Sequence, residues 1–453
     1  TVRPVPLEPD EKQNFVFKDS LSKAYRDSMY SKRNIDSLRR HQKPLQFQNF
    51  FRGGVNRTFY SSKHFTTYRL EPLIKELEYN TVEGLSINVD QSVNIRPRKG
   101  ANNYSIGWNS RYGISNNHLN SYIDFTIRPR QDNFRNWYLQ FSGGKRLSQV
   151  NRDNPIDALT NSLYTLLAKK NYMKLYEAWF GGVEYNNRFE NGLRWNISAS
   201  YEDRLPLQNT TEFSFFNKEE ALLPNHPYEL AGISFNRHKA LVASLSLAYQ
   251  PGQRYIQYPT RKMAIGSKYP TFELHYSKGI HDVLGSGVDF DKWKLSVYDN
   301  MNLKIGGELR YRISAGGFLN DSQAGLPDFQ HFNGNQTFYN FKFLNSFQLA
   351  PYYRYSNTEK LYGLLHLEHH LNGLLTNKIP LLNQLKWNMV LGANTFYVNR
   401  DNYYVEAFAG LENILKLFRV DFVTAYQAQP GYSFGVRVGL GGIIGGAIQL
   451  NRR

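Results

Sequence analysis

The sequence predicts an all-β protein: a transmembrane antiparallel β-barrel of about 16 strands, preceded by an N-terminal helical and linker segment. Three observations carry that prediction. The 453 residues include 32 Tyr and 30 Phe, yet the mean hydropathy is only -0.55, so the apolar residues are diluted by regularly interleaved polar ones. No run approaches the roughly 18 consecutive apolar residues that a spanning helix requires, and the longest stretch, "GLGGIIGGAI", is Gly-rich and much shorter. Finally, long and short connections alternate along the chain, as they do when long loops lie on one side of a membrane and tight turns on the other.

Taken in order, residues 1–56 stand apart. Pro4 and Pro6 lead into a charged segment of helical propensity with scattered apolar positions, expected to be a periplasmic linker and helix. The chain opens at Thr1 without an initiator Met or a secretory signal pattern, as expected of a processed chain with further sequence upstream. Residues 57–453 form the expected barrel. Period-two alternation marks strands near 58–72, 81–97, 102–114, 118–129, 136–148, 171–187, 190–203 and 238–250, then 269–280, 289–299, 302–317, 361–372, 386–398, 402–411, 415–426 and 432–442. In the last of these, Tyr432, Phe434, Val436, Val438 and Leu440 share one face, against Ser433, Gly435, Arg437, Gly439 and Gly441 on the other. The long connections, expected to be extracellular, lie near 149–170, 204–237 and 318–360. No period of 20 to 50 residues suggests a propeller or solenoid.

Composition narrows function. The absence of Cys removes disulfides, thiolate metal sites and Cys nucleophiles. A formal charge of +17 and a pI near 9.6 suit nucleic acid or an anionic membrane surface. The Lys and Arg are scattered through alternating segments without a recognition motif, which favours outer-membrane lipid and lipopolysaccharide over nucleic acid. "SGGKRLS" has the wrong spacing for a phosphate-binding loop, and no G-x-S-x-G elbow is present, so neither an enzyme nor a cofactor is expected.

The stretch "LHLEHH" (365–370) has two readings. As a helix its order fails to give H-E-x-x-H, whereas as a strand it sorts into an apolar face and a face carrying His366, Glu368 and His370. That face is either a lumen wall or, less in keeping with a polar barrel interior, a metal ladder. Glu406, Arg419, Asp421 and Arg437 extend the same polar face and are expected to form lumen ion pairs. Gly435, Gly439 and Gly441 mark the strand that closes the barrel, where glycine either weakens pairing with the first strand or simply relieves crowding in the barrel wall.

Several stretches, "NTVEGLSI" (80–87), "HFNGN" (331–335), "LAPYYRYSN" (349–357), "EHHLNGLLTNKIPLLNQLKWN" (368–388) and "GLENILKLFRVDFV" (410–423), resemble a family of Gram-negative envelope proteins. Members of that family carry a carboxypeptidase-regulatory-like domain followed by an outer-membrane barrel. The layout is also similar to the BamA-like superfamily of assembly and translocation barrels, whose sixth extracellular loop folds back into the lumen. The resemblance implies a multi-pass outer-membrane protein with both termini periplasmic. It further implies work in outer-membrane protein biogenesis or translocation beside other outer-membrane or periplasmic proteins, with a diffusion channel or a structural scaffold as alternatives. In the 318–360 loop, His331, Phe332 and Gly334 echo the superfamily's loop-tip motif without its Arg. His331 is accordingly expected to latch onto Glu368.

Overall fold

The structure is a computed structural model that describes residues 8–440 apart from 43, 45, 131–135, 258–261, 341–342 and 429–430. Helix α1 (Pro9–Met29) opens with a reciprocal cap between Glu8 and Glu11, and α2 (Lys32–Arg40) is capped by Ser31, whose Oγ accepts from the Asn34 N–H. Both helices rest on the first hairpin. Tyr30 stacks on Phe65 at 4.2 Å, and Arg39 and Gln42 donate to the carbonyls of Tyr60 and Thr58.

That hairpin corrects the expected strand 58–72. The polar turn Ser61-Ser62-Lys63 splits the segment into β1 (Val55–Tyr60) and β2 (His64–Leu70), which pair with each other. A short β3 (Leu77–Asn80) follows, then β4 (Gly84–Pro97). β4 starts three residues later than expected because the Asn80 carboxamide accepts from the N–H groups of Val82 and Glu83, folding "NTVEG" into a turn that ends on Gly84 at φ +65. The meander continues through β5 (Asn102–Gly113), β6 (Leu119–Pro129), β7 (Asn136–Gln149), β8 (Leu175–Arg188), β9 (Leu193–Pro206) and β10 (His238–Tyr249). A separate hairpin of β11 (Arg254–Gln257) and β12 (Lys262–Gly266) interrupts it. Then come β13 (Thr271–Gly279), β14 (Asp289–Asn302), β15 (Glu308–Gln323), the two-residue β16 (Tyr339–Asn340), β17 (Tyr362–His370), β18 (Asn388–Asn399), β19 (Asn402–Ile414), β20 (Phe418–Gln427) and β21 (Tyr432–Leu440). Each wall strand pairs antiparallel with the next. β2 and β3 lie end to end along β4 and count as one, so together with β4–β10, β13–β15 and β17–β21 the described residues supply sixteen wall strands, with β1 as an extra edge.

Alternation fixes what each face meets. Burial along β17 switches at every residue, and large apolar side chains such as Trp108, Ile123, Phe141, Ile197, Leu295, Ile313, Val405, Phe422 and Phe434 are exposed on strand after strand. A soluble protein rarely leaves so continuous an apolar surface uncovered, whereas a membrane-spanning barrel requires one. Curling the sheet also lets the backbone donors and acceptors of each spanning strand be satisfied by its neighbours.

The connections 150–174, 207–237 and 324–361 all leave from the same end of the barrel. They share a core of Val150, Ile156, Tyr172, Met173, Leu230, Leu326, Tyr352 and Tyr353, with α3 (Ala158–Ala168) in the first of them. At the opposite end the connections are short except for the one holding the β11–β12 hairpin and the one holding α4 (Pro380–Leu385).

Candidate functional site

The inward face of β17–β21 is a continuous polar network. His366, Glu368 and His370 project inward from β17 because they share one strand parity. Arg419 on β20 donates to Glu368 at 2.9 Å and to Asp421 at 2.8 Å, His370 contacts Glu412 at 3.1 Å, and His366 donates to Asn394 at 2.9 Å. Asn394 and Tyr404 in turn donate to Glu406 at 2.7 and 2.8 Å. Glu368, Glu406, Arg419 and Asp421 are all buried, so each charge depends on these partners. Glu368 is occupied by Arg419 and His366 by Asn394. Among the described residues no cluster of three His or carboxylate groups is arranged to hold a metal.

Into this network descends the 324–361 connection. The N–H groups of Gln348 and Leu349 donate to the two Glu406 oxygens at 2.6 and 3.1 Å, and the Gln348 side chain donates to Asp421 at 3.1 Å. Arg437 on β21 closes the grip by donating to the Gln348 carbonyl at 2.6 Å. Apolar packing completes it. Phe332 stacks on Phe396 with ring centres 4.8 Å apart, and Phe347 packs edge-on against Phe396 and Tyr404. Gly334 is required by crowding, because a Cβ there would lie 2.2 Å from the Ala350 carbonyl and 2.4 Å from that of Pro351.

The expected pairing of His331 with Glu368 does not form. His331 sits near the root of the loop, where Nε2–H donates to the Leu326 carbonyl at 3.0 Å and Nδ1 accepts from the Ser356 hydroxyl at 2.8 Å. Burial, with Lys292 nearby, pushes its pKa down to about 4 and keeps it neutral. Glu368 is held instead by Arg419 of the wall.

Sequence reasoning missed the loop's second attachment. Asp328 receives two bonds from Arg204 on β9, at 2.6 and 2.9 Å, while Lys292 on β14 donates to the Asp328 carbonyl at 2.9 Å. Burial opposes ionisation of Asp328, but Arg204, Arg152 and Lys292 outweigh it and hold the carboxyl below its ordinary range. An acid inside the apolar run "GLPDF" was the available signal. The loop therefore ties β9 and β14 to β19–β21 across the lumen.

The closing seam has an unexpected composition. β1 and β21 are the two ends of the wall, and among the described residues no ladder joins them. The space between β3 and β21 is bridged by other elements. Ser162 on α3 accepts from the Tyr79 N–H at 2.8 Å, Tyr164 accepts from the Phe338 N–H at 2.7 Å, and β16 pairs in parallel with Val438 and Gly439 of β21. Leu159, Leu163 and Leu167, one helical turn apart, leave an exposed apolar stripe on α3. Gly435 faces the loop, where a Cβ would meet Leu349 at 2.6 Å, and Gly439 lies opposite Asn340 and Arg419. Gly441 lies outside the described residues.

No curated protein sequence matches the chain. Among solved structures, the chain is similar to CdiB from Acinetobacter baumannii, at 10% identity and a TM-score of 0.35, over 83% of this chain and 59% of that one. BamA from Haemophilus ducreyi lacking POTRA domains 1–3 matches at 9% identity and a TM-score of 0.42, over 87% and 76%. Wzi of Escherichia coli, a carbohydrate-binding β-barrel involved in group 1 capsule assembly, matches at 8% and 0.31, over 85% and 76%. Over residues 50–411 the sequence matches the family described as "Family of unknown function (DUF5686) C-terminal domain", and the chain belongs to that family.

Proposed function

We propose that this barrel sits in the outer membrane of a Gram-negative bacterium and works in outer-membrane protein biogenesis or translocation, as one subunit of a larger complex. In this reading the long-loop end is extracellular, the helices α1 and α2 are periplasmic, and a carboxypeptidase-regulatory-like domain precedes the barrel. The observation that carries it is the seam, which among the described residues is bridged by a helix and a two-residue strand borrowed from loops. A wall joined that way has far fewer backbone bonds to break than a full strand ladder, which suits lateral passage of a polypeptide. The protein's own part is mechanical, and no reacting side chain is assigned.

A second reading, a diffusion channel, is favoured by the charge-rich lumen, where Lys292, Lys294 and Arg312 point inward from neighbouring strands. The latched loop speaks against free passage. The test is a disulfide between cysteines at Tyr339 and Val438, which are register partners. Locking β16 to β21 is expected to deplete other outer-membrane proteins in cells while leaving this barrel folded. A locked strain with a normal envelope proteome, or steady conductance of the unlocked protein in planar bilayers, overturns the assembly reading in favour of a static barrel or a channel.

A further inference from the structure

Helix α3 is built inside out. Thr160, Asn161, Ser162 and Thr165 are its buried residues, whereas Leu159, Leu163 and Leu167 are 63%, 40% and 49% exposed. The buried polar groups all have partners. Asn161 accepts from the N–H groups of Tyr172 and Met173, both at 3.0 Å, and donates to Asn171 at 3.1 Å. Ser162 accepts from the Tyr79 N–H, and Thr165 donates to the Lys170 carbonyl at 3.3 Å. A helix on a water-facing loop gains stability by turning its leucines toward the protein and its Asn, Ser and Thr toward solvent. The reverse arrangement suits apolar surroundings, where polar side chains need protein partners and leucines need none.

The place of the helix in the wall says what those surroundings are. α3 is bonded to Tyr79 of β3 on one side and, through Tyr164, to Phe338 beside β16 and β21 on the other. Asn161 faces the loop core of Tyr172, Met173 and Tyr352, which lies over the lumen, so the leucines on the opposite side of the helix point out of the barrel. The strands flanking the gap also turn apolar side chains outward: Leu77, Leu85 and Ile87 from β3 and β4, and Phe434 and Val436 from β21. The leucine stripe is continuous with that surface. The 207–237 connection extends it, because Tyr79, whose register partner is Leu85, donates to the Phe213 carbonyl at 3.0 Å, and the Phe215 N–H donates to the Leu166 carbonyl at 2.8 Å. Phe213, Phe215 and Phe216 are exposed beside the helix, and exposed Lys218, Glu219 and Glu220 follow them. Aromatic residues and then charges are the order met at the edge of a membrane's apolar band.

We propose that α3, with Phe213–Phe216 at its rim, is a membrane-embedded piece of the barrel wall whose leucine stripe contacts lipid acyl chains. Part of the 149–170 connection is then a membrane element and not a loop in water. The placement holds whatever the barrel carries and rests only on the wall spanning the membrane. Because the chain has no Cys, single cysteines each report one site. Leu159→Cys, Leu163→Cys and Leu167→Cys are labelled with the fluorophore NBD in the full chain, reconstituted into phosphatidylcholine vesicles. Phe434→Cys serves as the lipid-facing reference and Glu220→Cys as the water-facing one. Phosphatidylcholine carrying a nitroxide on its acyl chain is expected to quench the three α3 sites within about twofold of Phe434, while aqueous iodide quenches Glu220 alone. Quenching of the leucine sites by iodide and not by lipid overturns the proposal. Shielding of those sites from both quenchers overturns it too, in favour of a protein surface, and cross-linking between copies then identifies a second copy of this chain. Loss of lipid quenching at Phe434 as well refutes the membrane-spanning wall itself, whereas its loss at α3 alone refutes only the placement of the helix. Heat-modifiable gel migration reports whether each variant has folded, and three separate positions keep the test decisive should one fail.

Discussion

Glu406 and Gln348 are joined by a 2.6 Å hydrogen bond from the backbone of a loop to a carboxylate in the barrel wall. Glu406 accepts from Leu349, Asn394 and Tyr404 as well, so one buried side chain satisfies four donors from a loop and two strands. Replacing it with Ala strands all four, at roughly 1 to 3 kcal/mol for each one that stays buried. Glu406→Ala is expected to make the 324–361 loop sensitive to protease added from the long-loop side. Glu406→Gln, which keeps one acceptor oxygen, should fall between Ala and the unaltered protein. Full protection in Glu406→Ala would show that aromatic packing alone seats the loop.

The ion pair of Arg419 and Glu368 lies wholly inside the wall, with Asp421 as a third member. Arg419→Met leaves two carboxylates without their cation and is expected to cost about 3 to 5 kcal/mol. Unfolding in urea, followed by heat-modifiable gel migration, reads that loss. Adding Glu368→Gln to Arg419→Met should recover part of it, and strict additivity of the two changes would rule out the coupling.

Acid should loosen the loop. The His331 pKa is about 4 when docked against an ordinary 6.5, so between those values the undocked loop binds more protons than the docked one. The docking stability that His331 contributes is complete above pH 6.5 and falls away as pH drops toward 4. Asp328, whose pKa is lowered, keeps its own contribution throughout that window and loses it only at stronger acid. Protease sensitivity of the loop measured from pH 7 to 4 is expected to rise, and His331→Asn should flatten the profile. A slope that persists unchanged in His331→Asn would place the titration elsewhere.

Two glycines beside the loop predict unequal effects. A methyl at 334 meets rigid backbone carbonyls, whereas at 435 it meets the movable end of the Leu349 side chain. Gly334→Ala is therefore expected to unseat the loop and lower the urea midpoint clearly, and Gly435→Ala to do so only slightly. Equal midpoints for the two variants would contradict this geometry.

The wall was legible because period two is written residue by residue. In "LHLEHH" the parity alone places His366, Glu368 and His370 on one face, and the structure finds all three turned inward. Helix α3 was not expected within the 149–170 connection, although Asp157 caps it by accepting from the Thr160 N–H. Partnership was another matter. His331 and Glu368 are each the right chemical type, but Glu368 is claimed by Arg419, which is 51 residues away, and Asp328 by Arg204 at a separation of 124. The group that latches to Glu406 is a backbone N–H, which every residue but proline carries and no side-chain pattern reveals. The split of 58–72 into a hairpin turned on three small or polar residues within otherwise unbroken alternation.

The position of the loop in the chain imposes an order on assembly. Its docking groups, Glu406, Asp421 and Arg437, belong to β19, β20 and β21, all made after the loop itself. Once those strands have joined their neighbours, they bring buried charge into a narrow interior, and the loop backbone that neutralises it has to be inside already. A chain that zips its wall strand by strand would otherwise seal its entrance against its own plug. Docking of residues 324–361 therefore has to accompany the arrival of the last three strands, and any chaperone that assists this barrel has most to offer at that moment.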